Sequence, residues 1–355
     1  MFSALAITDI KVGCMDTFNP YRELDLSRQE VIDSELLAEL EASLSRLEEY
    51  AAQSRTEATR RAYASDWEDF AAWCARYNRS AIPARPETVG LYIGSIADGL
   101  SLATLERRLA AIATLHKEAG HESPASVSQG PLRRIWKGLI REKSRQQDKA
   151  EPLMVEDLRR IIEHLPRKRK TGELTLSSLR DRAILLIGWA GALRRSEIVA
   201  LTVTDAKFIA GEGINIYIRS SKSDQEGEGL VKGIPYGAHA ETCPVLALRT
   251  WLQKAAITEG PIFRRFFRGG KVADKALTAQ YVSVILKKHA ARIGLTPEDF
   301  SAHSLRSGFI TQAIRKGKSE RRVKEHSGHK SWETFNGYVK RAGTFQSNPA
   351  KDVGL

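Results

Sequence analysis

The side chains with the clearest chemical potential lie in the C-terminal half of the chain. In chain order they are Arg194, Lys222, His303, Arg306, His329 and Tyr338. Transfer of a phosphodiester needs positive charge near the non-bridging oxygens, a nucleophile, and a proton for the departing oxygen. Arginine suits the first task because its planar fork binds two phosphate oxygens and keeps its proton. The combination predicts chemistry on a phosphodiester, with a tyrosine oxygen as the attacking group.

Two of the local spacings place functional groups on one helix face. Arg194 opens a predicted helix directly after a buried apolar segment, and Glu197 follows at i+3, where its carboxylate can orient the guanidinium. His303 and Arg306 have the same i,i+3 spacing, so one face presents a histidine and an arginine together. Lys222 differs from them, because it lies in a glycine-rich loop between two predicted strands.

The last two functional side chains flank the start of one helix. His329 follows Gly328 in a predicted tight turn, and Ser331 is a predicted N-cap for the next helix. Tyr338 comes nine residues after His329, about two turns into that helix. A tyrosine nucleophile would leave a covalent phosphotyrosine, which conserves the bond energy and makes the step reversible.

Each of these motifs alone has a simpler explanation. An arginine and a glutamate at i,i+3 usually form a surface ion pair, and a single tyrosine is usually packed in a core. His303, His326 and His329 could ligate a metal ion, but no cysteine is near them. Only Glu325 offers a carboxylate at ligand spacing, so the sequence predicts no metal site.

Two of the assignments have rivals in the sequence. Arg195 competes with Arg194, although the Arg-x-Ser-Glu spacing favours Arg194. Lys232 competes with Lys222, because the alignment of a predicted hairpin can slip.

The charge is distributed unevenly along the 355 residues. The formal net charge is +12, but residues 1–50 hold 4 basic and 11 acidic side chains, and the remainder holds 51 basic and 32 acidic ones. An acidic N-terminal segment followed by a strongly basic remainder is typical of a protein that binds a polyanion such as nucleic acid. We find no signal peptide and no apolar run of membrane-spanning length. The three cysteines are few and widely spaced, which favours a reducing cytoplasm.

The apolar periodicity predicts a mainly α-helical protein with a small β-sheet. We expect a flexible leader over 1–30, a helical DNA-binding domain over 31–145, a linker over 146–152 and a second domain over 153–355. The fifth helix of the first domain, from Leu132 to about Lys143, is dense in basic residues. The predicted DNA contacts are Arg107, Arg108, Arg133, Arg134, Lys137 and Arg141. In the second domain a strand over 214–218 has a predicted hairpin partner over 229–235.

The order of these motifs resembles the tyrosine recombinases of the phage integrase family. The matching segments are Arg194-x-Ser196-Glu197, Lys222, His303-x-x-Arg306, Gly328-His329 and Tyr338. The N-terminal part is similar to the core-binding domain of Cre-like and Xer-like members. The resemblance implies a SAM-like helical domain followed by an α+β catalytic domain.

The resemblance also implies a role for each residue. Tyr338 would attack the scissile phosphate and hold a 3′-phosphotyrosine, while Arg194 and Arg306 clamp the non-bridging oxygens. Lys222 would deliver the proton to the 5′ hydroxyl, and His303 would accept the proton of the tyrosine or support it. The remaining roles would be a phosphate contact from His329 and ordering of the site by Glu197.

The implied partner is double-stranded DNA with inverted-repeat half-sites, in a bacterial or phage cytoplasm. Protomers would assemble into dimers and tetramers and exchange strands through a Holliday junction, without a cofactor. The rival functions are a topoisomerase-like enzyme or telomere resolvase with the same residues, and an architectural or repressor protein with an idle site. In the C-terminal tail, Phe345 is the predicted anchor on a neighbouring protomer.

Overall fold

The computed structural model describes residues 57–143, 150–219 and 229–343, and four helical residues before them: Glu39, Ala42, Ser43 and Arg46. The chain divides into two compact units, Met1–Asp148 and Lys149–Leu355. The predicted leader, residues 146–149 of the predicted linker, the loop with Lys222 and the tail with Phe345 lie outside the described residues.

The described part of the first unit is helical, as predicted. It contains α1 (Glu57–Arg76), α2 (Pro86–Ile96), α3 (Leu102–Glu118) and α4 (Leu132–Lys143). The Ser101 hydroxyl accepts a hydrogen bond from the Thr104 amide and so caps α3, because the first amides of a helix lack partners within it. The core forms where aromatic rings of α1 meet α2, with the Phe70 and Tyr92 ring centroids 5.1 Å apart.

The second unit combines helices with two small antiparallel sheets. Its helices are α5 (Val155–Glu163), α6 (Leu176–Ala190), α7 (Arg195–Ala200), α8 (Pro244–Lys254), α9 (Ala279–Arg292), α10 (His303–Arg315), α11 (Glu320–Ser327) and α12 (Trp332–Gly343). Its strands are β1 (Ala206–Ile209), β2 (Gly213–Ile218), β3 (Leu230–Pro235), β4 (Arg264–Phe266) and β5 (Val272–Ala276). One sheet has the order β1-β2-β3 and the other pairs β4 with β5.

Helix α6 is the centre of this unit. Its residues from Ala183 to Gly188 are buried, as the almost uninterrupted apolar run predicted. A helix that is apolar on all sides must be covered on all sides. Helices α8 and α10 pack against it, and β2 and β3 add buried side chains such as Ile216 and Ile234 to the same core. Within the described ranges, no helix is long and apolar enough to cross a membrane.

The sheets differ from the prediction in one respect. The β2–β3 hairpin is present, with Ile214 opposite Ile234, but β1, β4 and β5 were not predicted. Strands β4 and β5 are short and rich in charged residues, so they lack the apolar alternation of a half-buried strand. Their pairing depends on tertiary packing, in which Phe266 lies beside Trp251 and beneath the guanidinium of Arg180.

Candidate active site

Arg194 occupies the N-cap position of α7, immediately after the turn that ends α6. Its backbone amide donates to Glu197 Oε2 at 2.9 Å, and its Nη1 donates to Glu197 Oε1 at 2.6 Å. The Glu197 side chain is buried, whereas the Arg194 side chain keeps about a quarter of its surface exposed. Glu197 therefore fixes both the backbone and the guanidinium, and leaves the guanidinium accessible to a ligand. Arg195, the rival residue, has an exposed side chain.

Arg306 lies in the first turn of α10 and is almost completely buried. Its Nη1 donates to the carbonyl of Ala192 at 2.8 Å, and its Nη2 lies 3.2 and 3.3 Å from the two ring nitrogens of His329. Burial and the charge of Arg194 lower the pKa of Arg306 to about 10. It therefore keeps its positive charge at neutral pH.

His329 follows the left-handed Gly328 that ends α11. Glycine adopts this conformation without the clash that a Cβ atom would cause. Burial and the charges of the two site arginines lower the pKa of His329 to about 3, so the ring is neutral. Its Nδ1 lies 2.7 Å from Ser327 Oγ, and its ring packs against the Tyr338 ring with 5.3 Å between centroids.

Tyr338 and His303 form a direct hydrogen bond, with 2.7 Å between the phenol oxygen and Nε2. Burial raises the pKa of Tyr338, so the phenol is protonated and needs a base before it can attack. Burial and the charges of Arg306 and Arg194 lower the pKa of His303, so its ring is neutral and able to accept that proton. Since Phe335 is fully buried on the same helix as Tyr338, α12 is anchored beneath the nucleophile.

Lys232, the rival of Lys222, is a buried member of the site. Its Nζ donates to the carbonyl of Gly191 at 2.9 Å, and only 3% of its surface is exposed. Burial lowers its pKa to about 7, a shift that the Glu197 carboxylate opposes and the two site arginines reinforce. The sequence contains a signal for this position. Leu230, Lys232 and Ile234 are every second residue of β3, so their side chains lie on the same face of the strand, which is the face toward the core.

The predicted DNA contacts on α4 are solvent-exposed. Arg133, Arg134, Lys137 and Arg141 are exposed along this helix, and the first three line a depression with Gly130 and Pro131. The opposite face of α4 contributes Leu132 and Trp136 to the core. One face of the helix is therefore basic and accessible, as a phosphate contact requires.

Arg107 and Arg108 on α3 are held by acidic residues of α1. Arg107 forms an ion pair with Asp66 at 3.0 Å, and Arg108 contacts Asp69 and the hydroxyl of Tyr92. Burial raises the pKa of Asp66, while the two arginines act in the opposite direction. These two side chains connect α1, α2 and α3, and a DNA contact from either remains a prediction.

The structure thus brings Arg194, Glu197, His303, Arg306, His329, Lys232 and Tyr338 to one place, while Lys222 lies outside the described residues. A nucleophile, a proton acceptor and two arginines adjoin one another, which is the set that phosphodiester transfer needs. In the described part of the chain, no group of three histidine, cysteine or acidic side chains is arranged to hold a metal ion.

Comparison with known proteins agrees with this chemistry. Residues 150–343 match the model of the phage integrase family. The chain is 35% identical over 297 residues to an integrase/recombinase XerD homolog of Selenomonas ruminantium, over 83% of this chain and 85% of that protein. It is 25% identical over 285 residues to recombinase Cre of Escherichia phage P1, over 75% of this chain and 78% of that protein.

Solved structures share the fold. The XerH site-specific recombinase, in a pre-cleavage complex with difH substrate, has a TM-score of 0.58 at 18% identity, over 94% of this chain and 95% of that one. A lambda integrase dimer bound to a core site has a TM-score of 0.50 at 16% identity, over 84% and 94%. The predicted mainly helical fold with small sheets is confirmed. The chain belongs to the phage integrase family and is a tyrosine recombinase, an enzyme that breaks and rejoins DNA.

Proposed function

We propose that this recombinase cleaves each DNA strand through a 3′-phosphotyrosine on Tyr338 and exchanges strands through a Holliday junction. The reaction would serve integration, excision or resolution of DNA. The observation that supports it most is the hydrogen bond between Tyr338 and His303, beside Arg306 and Arg194. A protonated phenol on a neutral imidazole is ready to lose its proton as it attacks.

In the cleavage step His303 Nε2 takes the phenol proton as the Tyr338 oxygen forms a bond to phosphorus. The bond between phosphorus and the 5′ oxygen breaks, and Lys222 gives that oxygen a proton. Arg194 and Arg306 bind the non-bridging oxygens, where negative charge accumulates, and His329 donates its ring N–H to one of them. Glu197 keeps Arg194 in position throughout.

Rejoining runs these steps in reverse. A 5′ hydroxyl from a second DNA attacks the phosphotyrosine, the phenolate leaves and regains its proton, and no external energy source is used. Two such exchanges would convert two DNA sites into a Holliday junction and then into recombinant products. Each exchange requires two sites, so we propose inverted half-sites bound by dimers that join into a tetramer.

The DNA would be held by both units of the chain. In the first unit, residues 31–145 would form the core-binding domain, and the basic face of α4, which is exposed, would supply phosphate contacts. In the second unit, residues 153–355 would form the catalytic domain. The DNA sequence would be read elsewhere, because contacts to phosphate oxygens position a protein without specifying bases.

Trapping the covalent intermediate tests the proposal. A binding site is first selected from randomised inverted repeats with the purified full chain. A half-site nicked next to the scissile phosphate is then incubated with the protein, so that the short cleaved fragment diffuses away. A denaturing gel should show a protein–DNA adduct, and Tyr338→Phe should bind the half-site with unchanged affinity but give no adduct.

The same experiment separates the rival functions. An architectural or repressor protein with an idle site would bind DNA and give no adduct with the unaltered chain. A topoisomerase-like enzyme would give an adduct on any sequence and relax supercoiled plasmid without joining two sites, and a telomere resolvase would produce hairpin ends. An adduct that persists in Tyr338→Phe would show that another residue is the nucleophile.

A further inference from the structure

Three consecutive backbone carbonyls at the end of α6 each accept a hydrogen bond from a side chain of a different element. His326 Nε2 on α11 bonds to the carbonyl of Ala190 at 2.8 Å, and Lys232 Nζ on β3 bonds to that of Gly191 at 2.9 Å. Arg306 Nη1 on α10 bonds to the carbonyl of Ala192 at 2.8 Å. We call residues 190–192 the α6 turn and these three side chains its donors.

The α6 turn needs outside support. The last carbonyls of a helix have no amide partner within it, and they carry the negative end of the helix dipole, so cationic and N–H donors are favoured there. Ala192 has a φ of +47°, a left-handed conformation that is strained for a residue with a Cβ atom, and it is completely buried. Such a conformation persists only where surrounding contacts hold it.

The α6 turn leads directly to Arg194. Only the buried Leu193 separates them, and the Arg194 amide is already tied to Glu197. A shift of the turn would therefore move the start of α7 and the Arg194 guanidinium with it. A misplacement of about 1 Å at a catalytic group can reduce a rate on the order of 10²-fold.

We propose that Lys232 and His326 are positioning residues that hold the α6 turn and thereby aim the Arg194 guanidinium at the scissile phosphate. This inference rests on the role of Arg194 in the proposed function. Arg306 has two tasks, because it binds the turn and faces the site. Lys232 acts through its Nζ, which sits on the turn carbonyl, rather than as the proton donor to the 5′ oxygen.

The chemistry of Lys232 and His326 supports their role as hydrogen-bond donors to the α6 turn. A carbonyl can only accept, so His326 must carry its proton on Nε2, which fixes the tautomer. The His326 ring lies 5.0 Å from the Phe309 ring, so its orientation is held from a second side. Methionine has a side chain of similar length without a donor, so Lys232→Met removes the hydrogen bond and the ionisable amine with little change in packing, and an apolar group costs less to bury there than an amine.

The variants for the test remove one donor at a time. Lys232→Met and His326→Leu delete a donor, and His326→Gln keeps an N–H near the position of Nε2. Lys207→Met is the matched control, because Lys207 is exposed on β1 of the same sheet. Thermal melting and affinity for the half-site are measured for every full-length variant.

Hydrogen–deuterium exchange gives a readout that needs no activity. The amides of Ala192 and Leu193 bond to carbonyls of Trp189 and Gly188, so they exchange slowly while the turn is held. Lys232→Met and His326→Leu should speed exchange in a peptide covering the α6 turn by at least about tenfold, with α3 of the first unit unchanged. His326→Gln and Lys207→Met should resemble the unaltered chain. Unchanged exchange in both deletion variants would overturn the proposal.

The second readout is the rate of covalent adduct formation at saturating nicked half-site. Lys232→Met should lower it by about 10- to 100-fold, with half-site affinity altered less than about twofold. In the Arg194→Ala background the same substitution should cause no further loss, because there is no guanidinium left to aim. His326→Leu should lower the rate to a similar extent, again with no further loss in the Arg194→Ala background. His326→Gln should keep most of the rate of the unaltered chain.

The outcomes separate this inference from the proposed function. If Lys232→Met lowers the rate of adduct formation further in the Arg194→Ala background, the positioning role is wrong. It is also wrong if Lys232→Met alone leaves that rate unchanged. If Lys232→Met fails to fold, the His326 pair decides by the same criteria. If the unaltered chain forms no adduct on its selected site, the proposed function fails, and the exchange experiment still decides whether the donors hold the α6 turn.

Discussion

The phenol oxygen of Tyr338 lies 2.7 Å from Nε2 of His303 within the same chain. The pair joins the first turn of α10 to the middle of α12, so the nucleophile and its proposed base are in contact within one protomer. Because the burial of each group favours its uncharged form, the phenol is protonated and the imidazole is neutral. This pairing determines how cleavage should respond to pH.

Adduct formation should resist mild acid. Burial and the charges of Arg306 and Arg194 hold the pKa of His303 below the usual 6.5, so its ring remains able to accept a proton at that pH. The single-turnover rate should be constant from about pH 8 to about pH 6.5 and fall only at lower pH. His303→Gln should lower the rate on the order of 10²–10⁴-fold. A decline that begins above about pH 6.5 and persists in Lys232→Met, which lacks the other site group with a pKa of about 7, would contradict the assignment of His303 as the base.

Arg194 and Arg195 should behave differently although they are adjacent. Arg194→Ala removes a donor that Glu197 holds in place, and should lower the cleavage rate on the order of 10²–10³-fold with little effect on binding. Arg195→Ala removes an exposed side chain and should leave the rate nearly unchanged. Single-turnover cleavage of the nicked half-site measures both. If Arg195→Ala proves to be the inactive variant, the register of the motif is wrong by one residue.

Lys222 and Lys232 can be told apart by the leaving group. A 5′-bridging phosphorothiolate substrate expels a thiolate, which departs without a proton because thiols have a pKa of about 8.5. We expect Lys222→Ala to cleave normal DNA slowly and to recover on this substrate. Lys232→Met should cleave both substrates slowly, because a displaced Arg194 guanidinium stabilises the transition state poorly whichever group leaves. Recovery of Lys232→Met alone would make Lys232 the proton donor.

The basic face of α4 should account for part of the salt dependence of DNA binding. Removing one side chain that binds a phosphate should flatten the plot of log affinity against log salt by about one unit. A triple alanine variant of Arg133, Arg134 and Lys137 should therefore show a slope shallower by about three units. Titrations of a labelled half-site at several salt concentrations measure it, and an unchanged slope would show that this face does not contact DNA.

Arg108→Ala provides the contrasting variant for the same assay. Its side chain is engaged with Asp69 and Tyr92, so we expect a lower melting temperature and a salt slope close to that of the unaltered chain. A shallower slope with unchanged melting would show that Arg108 contacts a phosphate instead.

Removal of the residues after Ala342 should affect assembly more than binding. Phe345 is an aromatic side chain, which gives a large burial at an interface, so we expect it to dock on a neighbouring protomer. The truncated chain should bind one half-site normally, while complexes with two or four protomers and recombination fall sharply. Native gels with one-site and two-site DNA measure this, and normal higher complexes would show that the tail is not the coupling element.

Local periodicity in the sequence was enough to predict much of the second unit. The i,i+3 spacing of His303 and Arg306 predicts one helix face, and the structure confirms that both lie in the first turn of α10. The Ser331 hydroxyl accepts from the amides of Glu333 and Thr334, as the predicted cap requires. These features depend on residues a few positions apart, and short-range geometry determines them.

Other features depended on contacts between segments that are distant in the chain. The sequence marked Arg107 and Arg108 as basic but could not show that Asp66 and Asp69 engage them. Strands β4 and β5 carry no apolar alternation, so only packing could specify them.

The convergence on the α6 turn is the clearest case. Lys232, Arg306 and His326 belong to a strand and two helices, and the sequence identified the turn only as the end of a buried helix. The sequence by itself determined which side chains carry charge, a proton or a nucleophile, because those are properties of single residues and near neighbours. Only the tertiary structure decided that three of them meet the carbonyls of residues 190–192, because burial of α6 brings β3, α10 and α11 to its end, where the last carbonyls of a helix have no amide partner within it.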